Sequence, residues 1–174
     1  AMFGKALGNG YAITAVIGKK EIMKHASNTF ISSTFWTERI GPTAALKTLE
    51  VMQQIKSWEI LTKKGKKIKK GWFEIFKQNH LDVSIQGIDS LPNFYFKSNK
   101  HLYFKTYITQ EMLKKGFLAS NLIFVSISHT DEIIDQYFDH LNNITKILSN
   151  YLEEEKKFDL LDDEVCQSEF KRLN

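Results

Sequence analysis

Between residues 130 and 153 the apolar positions fall at helical spacing. Ile134, Tyr137, Phe138, Leu141, Ile144, Leu148 and Tyr151 recur every three or four residues and form one stripe of a long α-helix. Thr130 stands where an N-cap belongs, and Asp131 and Glu132 follow at the positive end of the helix. A second helical pattern, Ile60, Leu61, Ile68, Trp72, Ile75 and Phe76, predicts a helix over roughly 59–78. Gly41-Pro42 opens a third, running to about Lys56 with Ala45, Leu46, Leu49 and Met52 on one face; proline suits a first helical turn because its missing donor has no partner there anyway. Lys20 to Lys24 predicts a brief helix.

Other stretches read as strands. Tyr11 to Ile17 is an apolar run, Asp82-Val83-Ser84-Ile85-Gln86 alternates, and Phe94-Tyr95-Phe96 is aromatic and β-prone, with Leu91-Pro92-Asn93 as a turn before it. His101 to Lys105 extends this strand pattern or leads into a helix expected from about Thr109 to Lys115, which Gly116 stops. Leu122 to Ser128 predicts another strand. The order suggests a small antiparallel sheet covered by helices on one face, an α+β arrangement. Glu153 to Asn174 keeps helical spacing loosely and is expected to form a separate terminal helix.

At 174 residues, with 43% hydrophobic and 13% aromatic side chains, the chain has the size and apolar content for a core of its own. It has no apolar run of ~18 residues, so no membrane span is expected. One cysteine, Cys166, cannot form an internal disulfide and fits a reducing, cytoplasmic setting. The net charge of +4 owes much to Lys63-Lys64-Gly65-Lys66-Lys67-Ile68-Lys69-Lys70, six lysines in eight residues. A basic surface binder is one reading, and it predicts steep salt dependence of polyanion binding. The apolar positions threaded through the run favour the wet flanks of a helix instead, so no nucleic-acid partner is expected. His129, Asp131 and Glu132 lie at a strand-to-helix junction without a supporting His or Cys cluster, so capping is expected there and no metal.

The candidate chemistry sits at the other end, in Phe3-Gly4-Lys5-Ala6-Leu7-Gly8-Asn9-Gly10-Tyr11. A lysine amine is a nucleophile only when deprotonated, and it needs a shaped surrounding to be so. Glycines on both sides let the backbone bend sharply and let a bulky group approach. The plain alternative is a solvated turn lysine.

Further segments follow in order: Ala12 to Gly18, Lys20-Glu21-Ile22-Met23, Asn28 to Trp36 with Ser33-Thr34-Phe35, Gly41-Pro42-Thr43-Ala44-Ala45-Leu46, and Phe124 to Glu132. Together with the Lys5 segment they resemble the class III (subgroup II) aminotransferases, over residues 1 to about 152. Glutamate-1-semialdehyde 2,1-aminomutases are the most familiar of that group. The resemblance implies a fold type I, α/β plus α+β architecture of which this is the C-terminal portion, because Ala1-Met2-Phe3 reads as part of a strand and the family's ring-stacking aromatic and nitrogen-pairing aspartate are not located in the chain. It implies three parts: 1–40, the end of the cofactor-binding large domain; 41–80, interdomain helices; and 81–174, the small C-terminal domain.

It also implies pyridoxal 5'-phosphate as cofactor, with pyridoxamine phosphate as its alternate form, and Lys5 as the residue that holds it as a Schiff base and shuttles protons. Asn9 and Gly10 would shape the lysine loop. A hydroxyl would donate to the cofactor phosphate across a homodimer with a shared active site: Thr34 by motif, or Thr37 by its more usual distance from Pro42. Trp36 would line a substrate entrance. The partners implied are a small-molecule amine and a carbonyl acceptor. The aminomutases carry a glutamate before their last strand, whereas Leu118-Ala119-Ser120-Asn121-Leu122 has none, which leaves room for a related transaminase. The rival reading is a catalytically inactive fragment or interaction domain.

Overall fold

The computed structural model describes residues 1–31, 34–153 and 159–167. The chain forms two compact units, Ala1–Ser57 and Trp58–Asn174.

In the first unit, β1 (Met2–Phe3) and β2 (Ala15–Val16) pair antiparallel, with Met2 opposite Val16. The strand expected over Tyr11 to Ile17 is confined to its end. Its earlier backbone lies against another element: a Cβ added to Gly41 would come 2.5 Å from the Ala12 carbonyl oxygen, so residues 12–13 meet the start of a helix and cannot hold a ladder there. α1 (Lys20–Met23) continues as a 3₁₀ stretch, Lys24–Asn28. α2 (Ile40–Ile55) ends at Lys56, whose left-handed backbone (φ 49°) stops the helix. Of the face predicted for α2, Ala45 is buried, while Leu46, Leu49 and Met52 stay exposed.

The second unit closes a core. α3 (Ser57–Gln78) turns Ile68, Trp72, Ile75 and Phe76 inward, as their spacing predicts. β3 (Val83–Gln86) and β4 (Asn93–Phe96) form an antiparallel hairpin with Val83 opposite Phe96. Alternation sends Phe94 and Phe96 into the core and leaves Tyr95 exposed. The rings interlock edge to face: Trp72 and Phe94 centroids lie 4.9 Å apart, and Phe96 and Phe104 5.2 Å. Two glycines let α3 approach its neighbours. A Cβ on Gly65 would fall 1.6 Å from the Asp89 carbonyl oxygen, and one on Gly71 2.3 Å from the Phe138 ring.

α4 covers His101–Lys114, so the helix begins eight residues before the expected Thr109. Phe104, Tyr107, Ile108 and Met112 are buried at helical spacing, and this burial overrides the β-propensity of His101 to Lys105. The strand expected over Leu122 to Ser128 is also absent. That segment follows the hairpin through a single bridge, Leu122 opposite Asn93, and through bonds from Ile123 N to Pro92 O (3.1 Å) and Val125 N to Ser90 O (3.1 Å). It meets β4 at the first residue of that strand and otherwise pairs with the loop before it.

α5 (Asp131–Glu153) matches its predicted stripe: Ile134, Tyr137, Leu141, Ile144 and Leu148 are buried, and Phe138 and Tyr151 half-buried. Thr130 Oγ1 accepts from Ile133 N at 3.3 Å, the predicted cap. The polar groups that α5 buries are paired, with Trp72 Nε1 donating to Tyr137 Oη (2.8 Å) and Asn79 Nδ2 to Thr145 Oγ1 (3.0 Å). Burial pushes the Tyr137 phenol well above its ordinary pKa. Of the terminal helix expected over 153–174, the described residues 159–167 are irregular, tied to α4 through Leu160 N donating to Tyr103 Oη at 2.7 Å. The rest of that span lies outside the described residues.

Candidate functional site

Lys5 begins a single 3₁₀ turn, Lys5–Leu7, held by Leu7 N donating to Gly4 O (3.1 Å) and Gly8 N donating to Lys5 O (3.3 Å). Its side chain is exposed, and its ammonium has no hydrogen-bond or ion-pair partner among the described residues. Lys5 has φ +50°, Asn9 +46° and Gly10 +103°. A left-handed conformation comes easily to glycine and asparagine but not to lysine. Such strain, about 1–3 kcal/mol per residue, persists only where the surroundings impose it, and it gathers at functional sites. Gly8 supplies part of that constraint, because a Cβ there would lie 2.0 Å from the Tyr11 carbonyl oxygen. The glycines flanking Lys5 therefore shape a tight loop that presents the Lys5 side chain to solvent.

Thr34 and Thr37 lie in the turn 34–37, both exposed; of Ser33-Thr34-Phe35, Ser33 lies outside the described residues. Thr34 lines a hollow of about 560 Å³ together with Thr14, Phe35, Trp36, Glu38 and Pro42; Thr37 does not line it. Trp36 is 78% exposed at its edge with φ +30°, which like that of Lys5 is a value its side chain does not favour. Lys5 is not among the residues lining this hollow, so the loop and the turn are separate features of the unit.

Glu38 is a residue the sequence reading did not weigh. Its Oε1 accepts from Ile40 N and its Oε2 from Gly41 N at 3.1 Å, so one carboxylate meets two of the donors that the start of α2 leaves open. The signal was a glutamate just ahead of a helix whose expected start, Gly41-Pro42, has no hydroxyl or carboxamide cap beside it.

The other candidates have structural employment. His129 Nδ1 accepts from Ser126 N (3.2 Å), and burial, then the nearby Lys64 ammonium, lowers the imidazole pKa. Asp131 pairs with Lys67 at 2.9 Å, and that hydrogen bond holds its carboxyl below the usual range. Within the lysine run, Lys67 also reaches Asp135 (2.7 Å), Lys69 bonds Asp89 (3.0 Å) and the Gly87 carbonyl (2.6 Å), and Lys64 donates to the carbonyls of Ile127 and His129. These three lysines are half-buried cross-links of the unit, more than the wet flanks expected; Lys63, Lys66 and Lys70 are exposed. No helix among the described residues is long and apolar enough to cross a membrane.

No family model matches the chain. Individual relatives do. A 3-aminobutyryl-CoA aminotransferase of Cloacimonas acidaminovorans is 32% identical over 136 residues, covering 75% of this chain and 33% of the relative. A glutamate-1-semialdehyde 2,1-aminomutase of Hyperthermus butylicus is 25% identical over 164 residues, covering 83% of this chain and 38% of the relative. The chain thus spans about a third of the length of the curated relatives it matches. Among solved structures, the FumI protein of Sphingopyxis sp. MTA144, in its pyridoxal-phosphate internal aldimine form, superposes with a TM-score of 0.78 at 20% identity, over 87% of this chain and 37% of that one. The chain carries part of the fold type I architecture, and its relatives are the class III aminotransferases and glutamate-1-semialdehyde aminomutases.

Proposed function

We propose that this chain is the C-terminal portion of an enzyme that transfers an amino group with pyridoxal 5'-phosphate, and that Lys5 is its cofactor lysine. The observation that carries the reading is the strained, glycine-flanked turn that presents the Lys5 amine without a partner among the described residues. The residues present fit the group at both ends. Lys5 suits the aldehyde, and the Thr34 hydroxyl beside an open hollow suits the phosphate, with Thr37 in the same turn as the alternative donor. Asn9 and Gly10 shape the lysine loop.

When bound, the cofactor supplies an electron sink for the carbon that bears the amine. The protein's part is then positional and protonic. Lys5 Nζ would take a proton from that carbon and deliver it two atoms away, a 1,3 shift by a shuttle of a kind that contributes about 10²–10⁴-fold. Thr34 Oγ1 orients by donating to an anion, and the Trp36 indole narrows the approach for a small amine or carbonyl substrate. We place the enzyme in the cytoplasm as a homodimer with a shared active site, in which Thr34 serves the phosphate held by a second copy. The mutase and the two-substrate transaminase both agree with this chemistry; the absence of a glutamate from Leu118 to Leu122 favours the transaminase.

The test is borohydride reduction of the full-length polypeptide after incubation with pyridoxal phosphate, followed by peptide mass mapping. A pyridoxyl adduct fixed on Lys5, lost in Lys5→Ala together with amino transfer, is the expected result. A folded protein with no adduct on Lys5 would leave a catalytically inactive interaction domain as the better reading.

A further inference from the structure

We propose that Glu38 is a positioning residue for the phosphate-binding turn: its carboxylate anchors to the first turn of α2 the residue whose backbone closes the turn 34–37, and thereby fixes the Thr34 hydroxyl. The inference rests on the role proposed above for Thr34. Its geometry is independent of that role.

Glu38 is bonded on both sides. Its backbone N donates to Phe35 O at 2.7 Å and closes the turn, while its carboxylate accepts from Ile40 N and Gly41 N. α2 is in turn seated on the chain that continues from the lysine loop, because Gly41 has no room for a Cβ beside the Ala12 carbonyl. Glu38 therefore connects, through its backbone on one side and its half-buried carboxylate on the other, the turn that carries Thr34 to the helix start seated on residues 12–13. The turn needs such a tether, since Trp36 holds φ +30° against its own preference.

A second consequence concerns where an anion can bind. A helix N-terminus ordinarily attracts phosphate through its open N–H groups and its dipole. In α2 two of those groups are occupied by a carboxylate, which also places negative charge at that end. The phosphate is left to the turn, and Thr34 is the threonine of the turn that lines the hollow.

The proposal separates from simple electrostatics by sign. Glu38→Gln removes a negative charge near the phosphate, so a through-space effect tightens pyridoxal phosphate. Loss of positioning weakens it, because the amide nitrogen that replaces one oxygen cannot accept from a backbone N–H. We expect the Kd for pyridoxal phosphate, by absorbance titration of the full-length polypeptide, to rise about tenfold, or ~1.4 kcal/mol, with the Kd for pyridoxal, which lacks the phosphate, unchanged. Glu38→Asp keeps the charge but shortens the reach, and should also weaken binding. In a Thr34→Val background Glu38→Gln should add nothing, since both act through one hydroxyl.

Tighter or unchanged binding in Glu38→Gln, with Thr34→Val still weakened, overturns the positioning role and leaves the Thr34 reading standing. Additive losses, or equal losses for pyridoxal, also overturn it. Thr34→Val without effect sinks the Thr34 reading itself, and the route through Glu38 with it.

Discussion

The two units handle apolar surface in opposite ways. Trp58–Asn174 buries Trp72, Phe76, Phe94, Phe104, Ile108, Met112, Leu141 and Leu148 almost entirely, and it pairs the polar groups of Trp72, Tyr137, Asn79 and Thr145 among themselves. Among the described residues of Ala1–Ser57, Ala45 is the one buried hydrophobic side chain, while Phe30 is 94% exposed, Ile22 66% and Leu46 70%. Burial stabilises by about 25 cal/mol per Å² removed from water, so the second unit has a driving force of its own and the first has little. What the first unit has is positive-φ backbone at Lys5 and Trp36, which neither side chain favours. The unit that carries the candidate chemistry is the one least able to hold its shape by packing.

The sharpest way to break that contrast is a pair of truncations. Trp72→Ala should cost about 3–5 kcal/mol in denaturant unfolding, and Leu46→Ala, on an exposed face, within ~0.5 kcal/mol. Equal costs would show that the first unit has a core the contrast denies it. Next in size is Gly65→Ala, where the new methyl must displace the Asp89 backbone; about 1–3 kcal/mol is expected, with a local shift visible in the amide spectrum of residues 87–91. Thr130→Ala removes the α5 cap and should lower the unfolding free energy by about 1 kcal/mol, an effect confined to the second unit.

The smallest effect is a pH dependence. Burial and Lys64 depress the folded-state pKa of His129, so the unfolded chain binds the proton more readily. His129 therefore contributes stability that is complete above its ordinary pKa of about 6.5 and is lost as pH falls through the lower folded value. Protonation also converts Nδ1 from acceptor to donor and ends its bond from Ser126 N. His129→Gln should flatten this part of a stability profile between pH 7 and 5; an unchanged slope would place the titration elsewhere.

The elements legible in the sequence were those with a sustained period and a partner on one face. α5 and α3 were readable because a dozen or more residues repeat one spacing. The start of α4 is open in the sequence because His101 to Lys105 carries β-prone aromatics over too short a window to show its period, and burial of Phe104 and Ile108 in the core decides it. Leu122 to Ser128 looked like a strand because it is apolar and bounded, but its partner is the irregular loop at Ser90 and Pro92, which no local pattern reveals. At the candidate site, Lys5 announced itself through its glycines, which record a backbone constraint. Glu38 did not, since an acidic residue ahead of a helix is common and its two hydrogen bonds depend on where the chain turns.

The bond between Trp72 and Tyr137 has an optical consequence. Of the three tryptophans, Trp72 is sealed from water with its indole N–H engaged by a neutral phenol, while Trp36 and Trp58 stand largely in solvent. A soluble quencher should therefore extinguish the red-shifted emission of the exposed pair and leave the blue-shifted emission of Trp72, so that one fluorescence titration reads the closed core and the open surface as separate colours of the same molecule.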